Sequence, residues 1–190
     1  LMDIASEIRA FSPGCEQEQK DKAQMLSWLN TSPDPFSREN TFAHFTASSW
    51  VVSPDRQQVL LIYHNIYRSW AWMGGHADGD RDLLAVALRE TREESGLENL
   101  RLLHNGIFSL ETLTVDGHVK RGTYVSSHLH LNVTYLLEAD PKQTLRIKPD
   151  ENSGVAWFTP EEALKASTEP WMVQRVYSKL TQRAAAYMAR

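Results

Sequence analysis

One segment, Gly74 to Leu97, constrains the fold of this chain most, because its pattern changes from extended to helical within a few residues. It reads GGHADGDRDLLAVALRETREESGL and follows a short extended run, Trp70 to Met73. The residues after the glycine pair are rich in Asp and Gly, which is typical of a loop, and a helix is predicted from about Asp80 to Ser95. Gly96 is the residue expected at a left-handed C-terminal cap. The segment is therefore predicted to form a strand, a loop and a helix.

Three glutamates share one side of this predicted helix. At about 100° per residue, Glu90, Glu93 and Glu94 fall within about 100° of one another on the helical wheel. Clustered carboxylates raise each other's pKa unless a cation lies among them. Oxygen ligands of this kind suit Mg²⁺ or Mn²⁺. A solvated acidic helix face is the alternative interpretation of the same pattern.

The remaining positions of the helix predict how it is held. Leu84, Leu88 and Thr91 fall together on another side of the wheel, and we expect that side to pack against a sheet. Arg89 lies one turn before Glu93, where it can orient the carboxylate by a forked hydrogen bond.

The spacing in this segment resembles the Nudix box, which is Gly, five residues, Glu, seven residues and then Arg-Glu-aliphatic-any-Glu-Glu-any-Gly-aliphatic. The positions that match are Gly75, Arg89, Glu90, Glu93, Glu94, Gly96 and Leu97. Two positions differ, because Arg81 replaces the first Glu and Thr91 replaces an aliphatic residue. On this spacing and its predicted context the chain is identified as a member of the Nudix hydrolase family.

The resemblance implies an α/β/α sandwich with a mixed sheet, and hydrolysis of a nucleoside diphosphate linked to another group. Metal ions neutralise such a substrate and activate a water for attack at phosphorus. The implied site residues are the Mg²⁺ or Mn²⁺ ligands Glu90 and Glu94, the further ligand or water positioner Glu93, the orienter Arg89, and a carbonyl donor at Gly74 or Gly75.

A further catalytic acid is expected outside the Nudix box, since related enzymes often recruit one from a loop before a late strand. Glu151 fits this description best, because it lies just before the predicted strand Val155 to Phe158. Glu138 and Glu111 are the alternatives.

Several residues are candidates for substrate binding. His76 follows the glycine pair and is positioned to touch a phosphate. His128 and His130 project from one face of a predicted strand, where they line a pocket or a polar sheet face. A zinc site is not expected there, since no cysteine or third histidine is spaced to complete it. Aromatic candidates for stacking on a flat group are Trp72, Trp50, Trp70 and Tyr124.

Arg81 is the residue that fits the Nudix pattern least. We expect it in the first turn of the helix, where the helix dipole disfavours a cation. A salt bridge to Asp78 or Asp82 would offset this cost, and a contact to a substrate phosphate is the alternative.

The rest of the chain predicts a helical segment and linker at residues 1–40 and a Nudix domain at 41–190. Ser53, Pro54 and Asp55 separate two extended runs, which predicts a hairpin. In the run from His128 to Leu137, alternate residues are apolar, which predicts one core face and one polar face. A final helix is predicted from about Pro170 to Met188, where it packs or forms a homodimer surface.

Composition excludes several classes of protein. The chain of 190 residues has 20 basic and 24 acidic side chains and a net charge of −4, so it lacks the basic stripe of a nucleic-acid-binding protein. No apolar run approaches the ~20 residues that span a bilayer, and the first thirty residues lack a secretory pattern, so a cytoplasmic location is expected. The single cysteine, Cys15, permits neither an internal disulfide nor a thiolate zinc cluster.

Two other functions remain open from the sequence. Arg81 is consistent with a non-catalytic Nudix-like sensor that binds a nucleotide without turnover, although Glu90, Glu93 and Glu94 argue against it. Isomerase chemistry on isopentenyl diphosphate requires a catalytic cysteine, whereas Cys15 is far from the pocket segments. The sequence does not select one small-molecule diphosphate substrate.

Overall fold

The computed structural model describes residues 3–187 and contains an eight-stranded mixed sheet with helices on both faces. The strands of the sheet are β1 (Ala43–Val52), β2 (Val59–His64), β3 (Ser69–Ala71), β4 (Met73–His76), β5 (Arg101–Leu102), β6 (Ser109–Val115), β9 (His128–Glu138) and β10 (Asn152–Phe158). A separate two-stranded sheet is formed by β7 (His118–Lys120) and β8 (Thr123–Val125). The helices are α1 (Ile4–Ala10), α2 (Glu16–Thr31), α3 (Leu83–Ser95), α4 (Pro160–Ala166), α5 (Pro170–Met172), a π-helical turn (Val173–Tyr177) and α6 (Ser178–Ala185).

The sheet runs in the order β10-β2-β1-β9-β5, with β3 paired to β2, β4 to β1, and β6 to β9. Strands β1 and β9 are parallel, and the other pairs are antiparallel. The predicted hairpin is confirmed by the pairing of Val51 with Leu60 and of Val52 with Val59.

Two apolar cores lie on the two faces of the sheet. The larger one takes Ile8 of α1, Met25 of α2 and Val86 of α3. The smaller one takes Val176 of the π-helical turn and Leu180 of α6. The α/β/α sandwich and the helical N-terminal segment are therefore confirmed.

Strand β9 differs from its predicted alternation, because both of its faces are buried from Leu131 to Leu137. It lies inside the sheet, and strands covered on both faces are buried throughout. Its polar residues bond to one another, since the Asn132 amide donates to Thr134 Oγ1 at 3.2 Å and to Glu111 at 3.2 Å.

Helix α3 ends at Ser95 as predicted and begins at Leu83, three residues after the predicted start. The Asp82 carboxylate accepts a hydrogen bond from the Ala85 backbone amide at 3.0 Å, and Gly96 caps the C-terminus at φ 78°. Its buried side was predicted wrongly, because Val86 and Ala87 are fully buried while Leu84 and Leu88 are only partly so. The helix lies close to β1 and β4, so its narrower side chains face the sheet.

Thr91 is compatible with its buried site, because its hydroxyl donates to Ser49 Oγ on β1 at 2.8 Å. The hydrogen bond to Ser49 therefore allows a threonine to occupy the position where the Nudix pattern has an aliphatic residue.

A buried ion network joins α2 to α6. Glu18 has no exposed surface and accepts hydrogen bonds from the Arg183 guanidinium at 2.6 and 2.8 Å. Lys179 lies 3.3 Å from Glu18 and 3.1 Å from Glu111.

Within residues 3–187, none of the helices combines the length and apolarity needed to cross a bilayer.

Candidate active site

The sequence predicts that the glycine pair follows a strand. In the structure the pair lies inside strand β4. Gly74 pairs with Ser48 and Gly75 with Ala47 on β1. A Cβ atom on Gly75 would lie 2.5 Å from the carboxyl carbon of Glu90. The missing side chain therefore lets α3 bring a carboxylate directly over the strand.

Three carboxylates meet where α3 faces the loop before β10. One oxygen from each of Glu90, Glu94 and Glu151 lies within 4.8 Å of the other two. Helix α3 supplies Glu90 and Glu94 one turn apart on the same side. The structure thus brings the expected acid outside the Nudix box into contact range of two of the glutamates inside it.

Glu94 is the most enclosed member of this group, with 3% of its surface exposed. Burial, followed by the charges of Glu151 and Glu90, raises its pKa well above the usual value. Burial and the nearby Glu93 raise the pKa of Glu90 as well. A cation among these oxygens would offset both effects, and the all-oxygen donor set fits Mg²⁺ or Mn²⁺.

Glu93 lies outside this group, although it was expected to act as a further ligand. Its carboxylate is 46% exposed and accepts a hydrogen bond from Lys148 Nζ at 2.9 Å. The same ammonium lies 3.1 Å from Glu151 Oε1. Burial works to lower the pKa of Lys148, but the hydrogen bonds to Glu93 and Glu151 outweigh it and raise that pKa.

The glycine pair contributes a backbone amide to the site, while the carbonyl donor expected at Gly74 or Gly75 stays a prediction. The Gly74 backbone N–H donates to Glu94 Oε1 at 3.3 Å, which fixes the orientation of that carboxylate. Arg89 lies beside Glu90 and Asp80, with nitrogen–oxygen distances of 3.7 and 3.5 Å, and not beside Glu93. Arg89 therefore lies near Glu90 and Asp80 at ion-pair distance, without a hydrogen bond to either.

A cavity of about 1010 Å³ opens next to the three carboxylates. Of the predicted substrate-binding residues, Trp72, His76 and His130 line it, whereas Arg81 and His128 do not. Trp72 is 9% exposed and makes an edge contact with Tyr177, so most of it is core. Basic residues that sequence reasoning missed also line the cavity, namely Arg38, Lys120, Arg121 and Lys148.

Arg81 lies before the helix rather than in its first turn. Its guanidinium carbon is 4.9 Å from the ring centre of Phe36. The predicted salt bridge was wrong, because Asp78 pairs with Arg38 at 2.5 Å and Asp82 caps α3. An aromatic ring face, and not a carboxylate, receives this cation.

The alternative acids do not reach the three carboxylates. Glu138 is bound by Arg56 at 2.6 Å and Arg101 at 2.7 Å. Glu111 is fully buried and accepts a hydrogen bond from Thr134 at 2.8 Å. Both carboxylates are therefore bound by other side chains of the fold.

The other aromatic candidates for stacking lie outside the cavity lining. Trp50 is buried against Tyr177 with ring centres 5.5 Å apart, and Trp70 packs edge-on against Phe158. Tyr124 is exposed on strand β8.

The histidines form a second group on the sheet, which the sequence did not predict. His44, His76 and His130 each offer a ring nitrogen within 4.8 Å of the others. His128 lies beside them, with its Nε2 atom 3.1 Å from Nε2 of His130. His44 was missed because the spacing along the chain gives no sign that β1 pairs with β9.

Comparison with known structures supports the fold. The chain is similar to an Ap4A hydrolase from C. elegans in a binary complex, with 18% identity and a TM-score of 0.56 over 75% of this chain and 99% of that one. It is also similar to a NUDIX-family hydrolase from Clostridium perfringens, with 20% identity and a TM-score of 0.51 over 75% and 96%. A third similar structure is the E. coli dihydroneopterin triphosphate pyrophosphohydrolase, with 12% identity and a TM-score of 0.54 over 73% and 94%.

Comparison with family models and curated proteins gives two further results. No curated protein matches the chain significantly. The model of the NUDIX domain matches residues 43–179, which include every strand of the sheet, helix α3 and the three carboxylates. The chain belongs to the Nudix family.

Proposed function

We propose that this chain is a metal-dependent diphosphatase that hydrolyses a nucleoside diphosphate linked to another group, by attack of water at phosphorus. The observation that carries the proposal is the meeting of Glu90, Glu94 and Glu151 within 4.8 Å beside a large cavity. Burial raises the pKa values of Glu90 and Glu94, so their ionised forms are unfavourable in the absence of a cation. A bound divalent cation would stabilise these ionised forms.

Glu90 and Glu94 are the proposed ligands of Mg²⁺ or Mn²⁺, and Glu151 faces them from the loop before β10. When bound, such an ion neutralises phosphate charge and lowers the pKa of a coordinated water. Gly74 donates its backbone amide to Glu94, and the Arg89 guanidinium lies 3.7 Å from Glu90, where its charge favours the ionised carboxylate. The hydrogen bond from Gly74 fixes the Glu94 carboxylate before substrate arrives, which lowers the cost of ordering the site.

Glu151 is the proposed acceptor of the proton from the attacking water. Lys148 lies 3.1 Å from Oε1 of Glu151, which leaves Oε2 as the oxygen available to accept. Because Lys148 also holds Glu93, it fixes the position of the loop against α3. We assign Glu93 to this positioning role.

The cavity suits a substrate with a phosphate end and a flat end. Arg38, Lys120 and Lys148 supply positive charge for phosphate oxygens. Tyr67 and Trp171 line the cavity too and are about half exposed, so they present aromatic faces for a planar group. The volume of about 1010 Å³ lies at the upper end of ligand pockets, which accommodates a nucleotide with a second substituent.

A panel of diphosphates tests the proposal. Nucleotide sugars, dinucleoside polyphosphates, nucleoside triphosphates and non-nucleotide diphosphates are incubated with Mg²⁺ or Mn²⁺, and the products are resolved by chromatography. We expect turnover of at least one class, and Glu94→Gln should lower that turnover by roughly 10²-fold or more. Glu161→Gln is the matched control, because Glu161 is an exposed glutamate of α4.

Two outcomes would contradict the proposal. Near-normal activity in Glu94→Gln would exclude Glu94 as a ligand. Hydrolysis in ¹⁸O-labelled water should place the label on a phosphate product, and label in an alcohol or sugar product would show attack at carbon. Tight binding of a nucleotide without turnover of any compound would favour the sensor instead.

A further inference from the structure

Three histidines from three neighbouring strands converge on one face of the sheet. His44 on β1 is directly paired with His130 on the parallel strand β9. His76 on β4 is paired with Thr46, two residues along β1 and therefore on the same face as His44. The ring centres are 4.9 to 5.2 Å apart, and one nitrogen of each ring lies within 4.8 Å of the others.

One ring nitrogen of His44 has no hydrogen-bond partner among the described residues. The residue is 3% exposed, and its Nδ1 atom lies 2.9 Å from the Asn40 carbonyl oxygen, which requires a proton on Nδ1. The other nitrogen, Nε2, is buried and has no hydrogen-bond partner among residues 3–187. A buried polar atom left without a partner is unfavourable. Because Nδ1 carries the proton, Nε2 is the nitrogen of His44 whose lone pair is free to bind an ion.

The tautomer of His130 is fixed in a similar way by His128. Nδ1 of His128 lies 2.8 Å from the Ser126 carbonyl oxygen and therefore carries a proton. Nε2 of His128 then accepts, and Nε2 of His130 donates, in the 3.1 Å contact between them. A second ring nitrogen held by an acceptor is the usual support of a metal-binding histidine.

Burial is the largest effect on the pKa of each of the three rings and lowers it. Neutral imidazole is the form that binds metal ions.

We propose that His44, His76 and His130 form a binding site for one divalent transition-metal ion, with Zn²⁺ as the representative ion. Imidazole nitrogen suits Zn²⁺ and its neighbours in the transition series, whereas Mg²⁺ prefers oxygen. Zn–N bonds of about 2.0–2.1 Å place tetrahedral ligands about 3.3 Å apart. The three ring nitrogens lie within 4.8 Å of one another, so metal binding must draw them closer together.

The histidine site is chemically distinct from the carboxylate site but shares its cavity. His76 directly follows Gly75, which lies against Glu90, and both His76 and His130 line the cavity. Three protein ligands leave one position of a tetrahedral ion open. That position is available to an oxygen atom of a molecule bound in the cavity.

Equilibrium dialysis of the metal-free full chain against Zn²⁺, in excess Mg²⁺ to occupy the carboxylates, tests this site. We expect one bound Zn²⁺ per chain. His76→Gln and His130→Gln should each weaken Zn²⁺ binding by at least about 100-fold. Glu94→Gln and His118→Gln should retain the affinity, because His118 lines the same cavity outside the cluster.

The absorption spectrum of the Co²⁺-loaded protein provides a second test that needs no variant. Imidazole ligands around a tetrahedral ion give intense visible bands, whereas oxygen ligands around an octahedral ion give weak ones. Intense bands that persist in excess Mg²⁺ would support the site. Weak bands, or Zn²⁺ affinity that is unchanged in both histidine variants or lost in Glu94→Gln, would overturn it. Near-UV circular dichroism of the metal-free variants checks that they are folded, and the Co²⁺ spectrum decides if they are not.

Discussion

The side-chain amide of Asn152 donates a hydrogen bond of 2.9 Å to the backbone carbonyl oxygen of Glu94. Asn152 is fully buried and is the first residue of β10, directly after Glu151. The bond attaches the loop that carries Glu151 to the end of α3, where the carbonyl groups have no partner inside the helix. One side chain therefore fixes the distance between the acid outside the Nudix box and those inside it.

Replacing Asn152 should separate these carboxylates without removing any of them. We expect Asn152→Ala to lower the free energy of unfolding by about 1–3 kcal/mol, because the Glu94 carbonyl loses its buried partner. Mg²⁺ affinity should fall as well. Isothermal titration with Mg²⁺ and urea unfolding measure the two effects. Unchanged Mg²⁺ affinity in a destabilised variant would limit Asn152 to a structural role.

Gly75→Ala should disturb the site locally. The added Cβ would lie 2.5 Å from the Glu90 carboxyl carbon, so the Glu90 side chain must move. Misplacing a catalytic group by about 1 Å costs roughly 10²-fold in rate. Steady-state kinetics on the best substrate, at several Mg²⁺ concentrations, provide the measurement. If kcat and the Mg²⁺ requirement are both unchanged, Glu90 does not need its position over β4.

The contribution of Glu90 and Glu94 to the stability of the metal-free protein should fall as the pH rises, whereas the buried histidines, whose pKa values are lowered, contribute in the opposite direction. The pKa values of Glu90 and Glu94 are raised above 4.5 in the folded protein, so above pH 4.5 the folded state retains protons that the unfolded state has released. The stabilisation present below pH 4.5 is then lost as the pH rises through the folded pKa values.

Chemical unfolding between about pH 5 and about pH 8 tests this expectation. Mg²⁺ should stabilise the protein more at the higher pH, since the carboxylates must be ionised to bind it. In chelator, the difference in stability between the unaltered protein and Glu94→Gln isolates the Glu94 contribution, and this difference should shift against the unaltered protein as the pH rises. A pH profile that is the same in Glu94→Gln and the unaltered protein would show that Glu94 titrates normally.

Arg81 should affect stability more than catalysis. Because its guanidinium lies over Phe36 and outside the cavity lining, Arg81→Ala should cost about 0.5–1 kcal/mol of folding free energy. KM and the Mg²⁺ concentration for half-maximal rate should stay within the error of the assay. Arg81→Lys keeps the charge and serves as the comparison. A large rise in KM with unchanged stability would instead assign Arg81 to substrate binding.

The buried ion network should be essential for folding. Glu18→Gln leaves Arg183 without its buried carboxylate, while Lys179 keeps Glu111, and breaking a buried ion pair in this way typically costs about 3–5 kcal/mol. Glu16→Gln on the exposed side of the same helix is the control. Thermal unfolding of both variants is compared with the unaltered chain, and equal midpoints would show that the network contributes little.

Local features of this fold could be predicted from the sequence. The ends of α3, its cap at Gly96 and the hairpin of β1 and β2 depend on residues within a few positions of one another. Glu151 was also identified from the sequence, because it lies in an acidic loop just before a short strand.

Non-local features could not be predicted in the same way. His44 and His130 are 86 residues apart, and only the parallel pairing of β1 with β9 brings them together. Lys148 reaches Glu93 across 55 residues of chain, so the sequence does not reveal that Glu93 is already paired. The buried face of α3 depends on how closely the helix approaches β1, which periodicity alone does not determine.

The bond between Glu18 and Arg183 joins positions that are 165 residues apart, and this separation affects how the protein is made. During synthesis, α2 emerges long before α6 exists, so the Glu18 carboxylate stays in water until almost the whole domain has been translated. Contacts of such long range also incur their loop-closure entropy before they contribute energy. The ion pair between α2 and α6 is therefore expected to form late in folding.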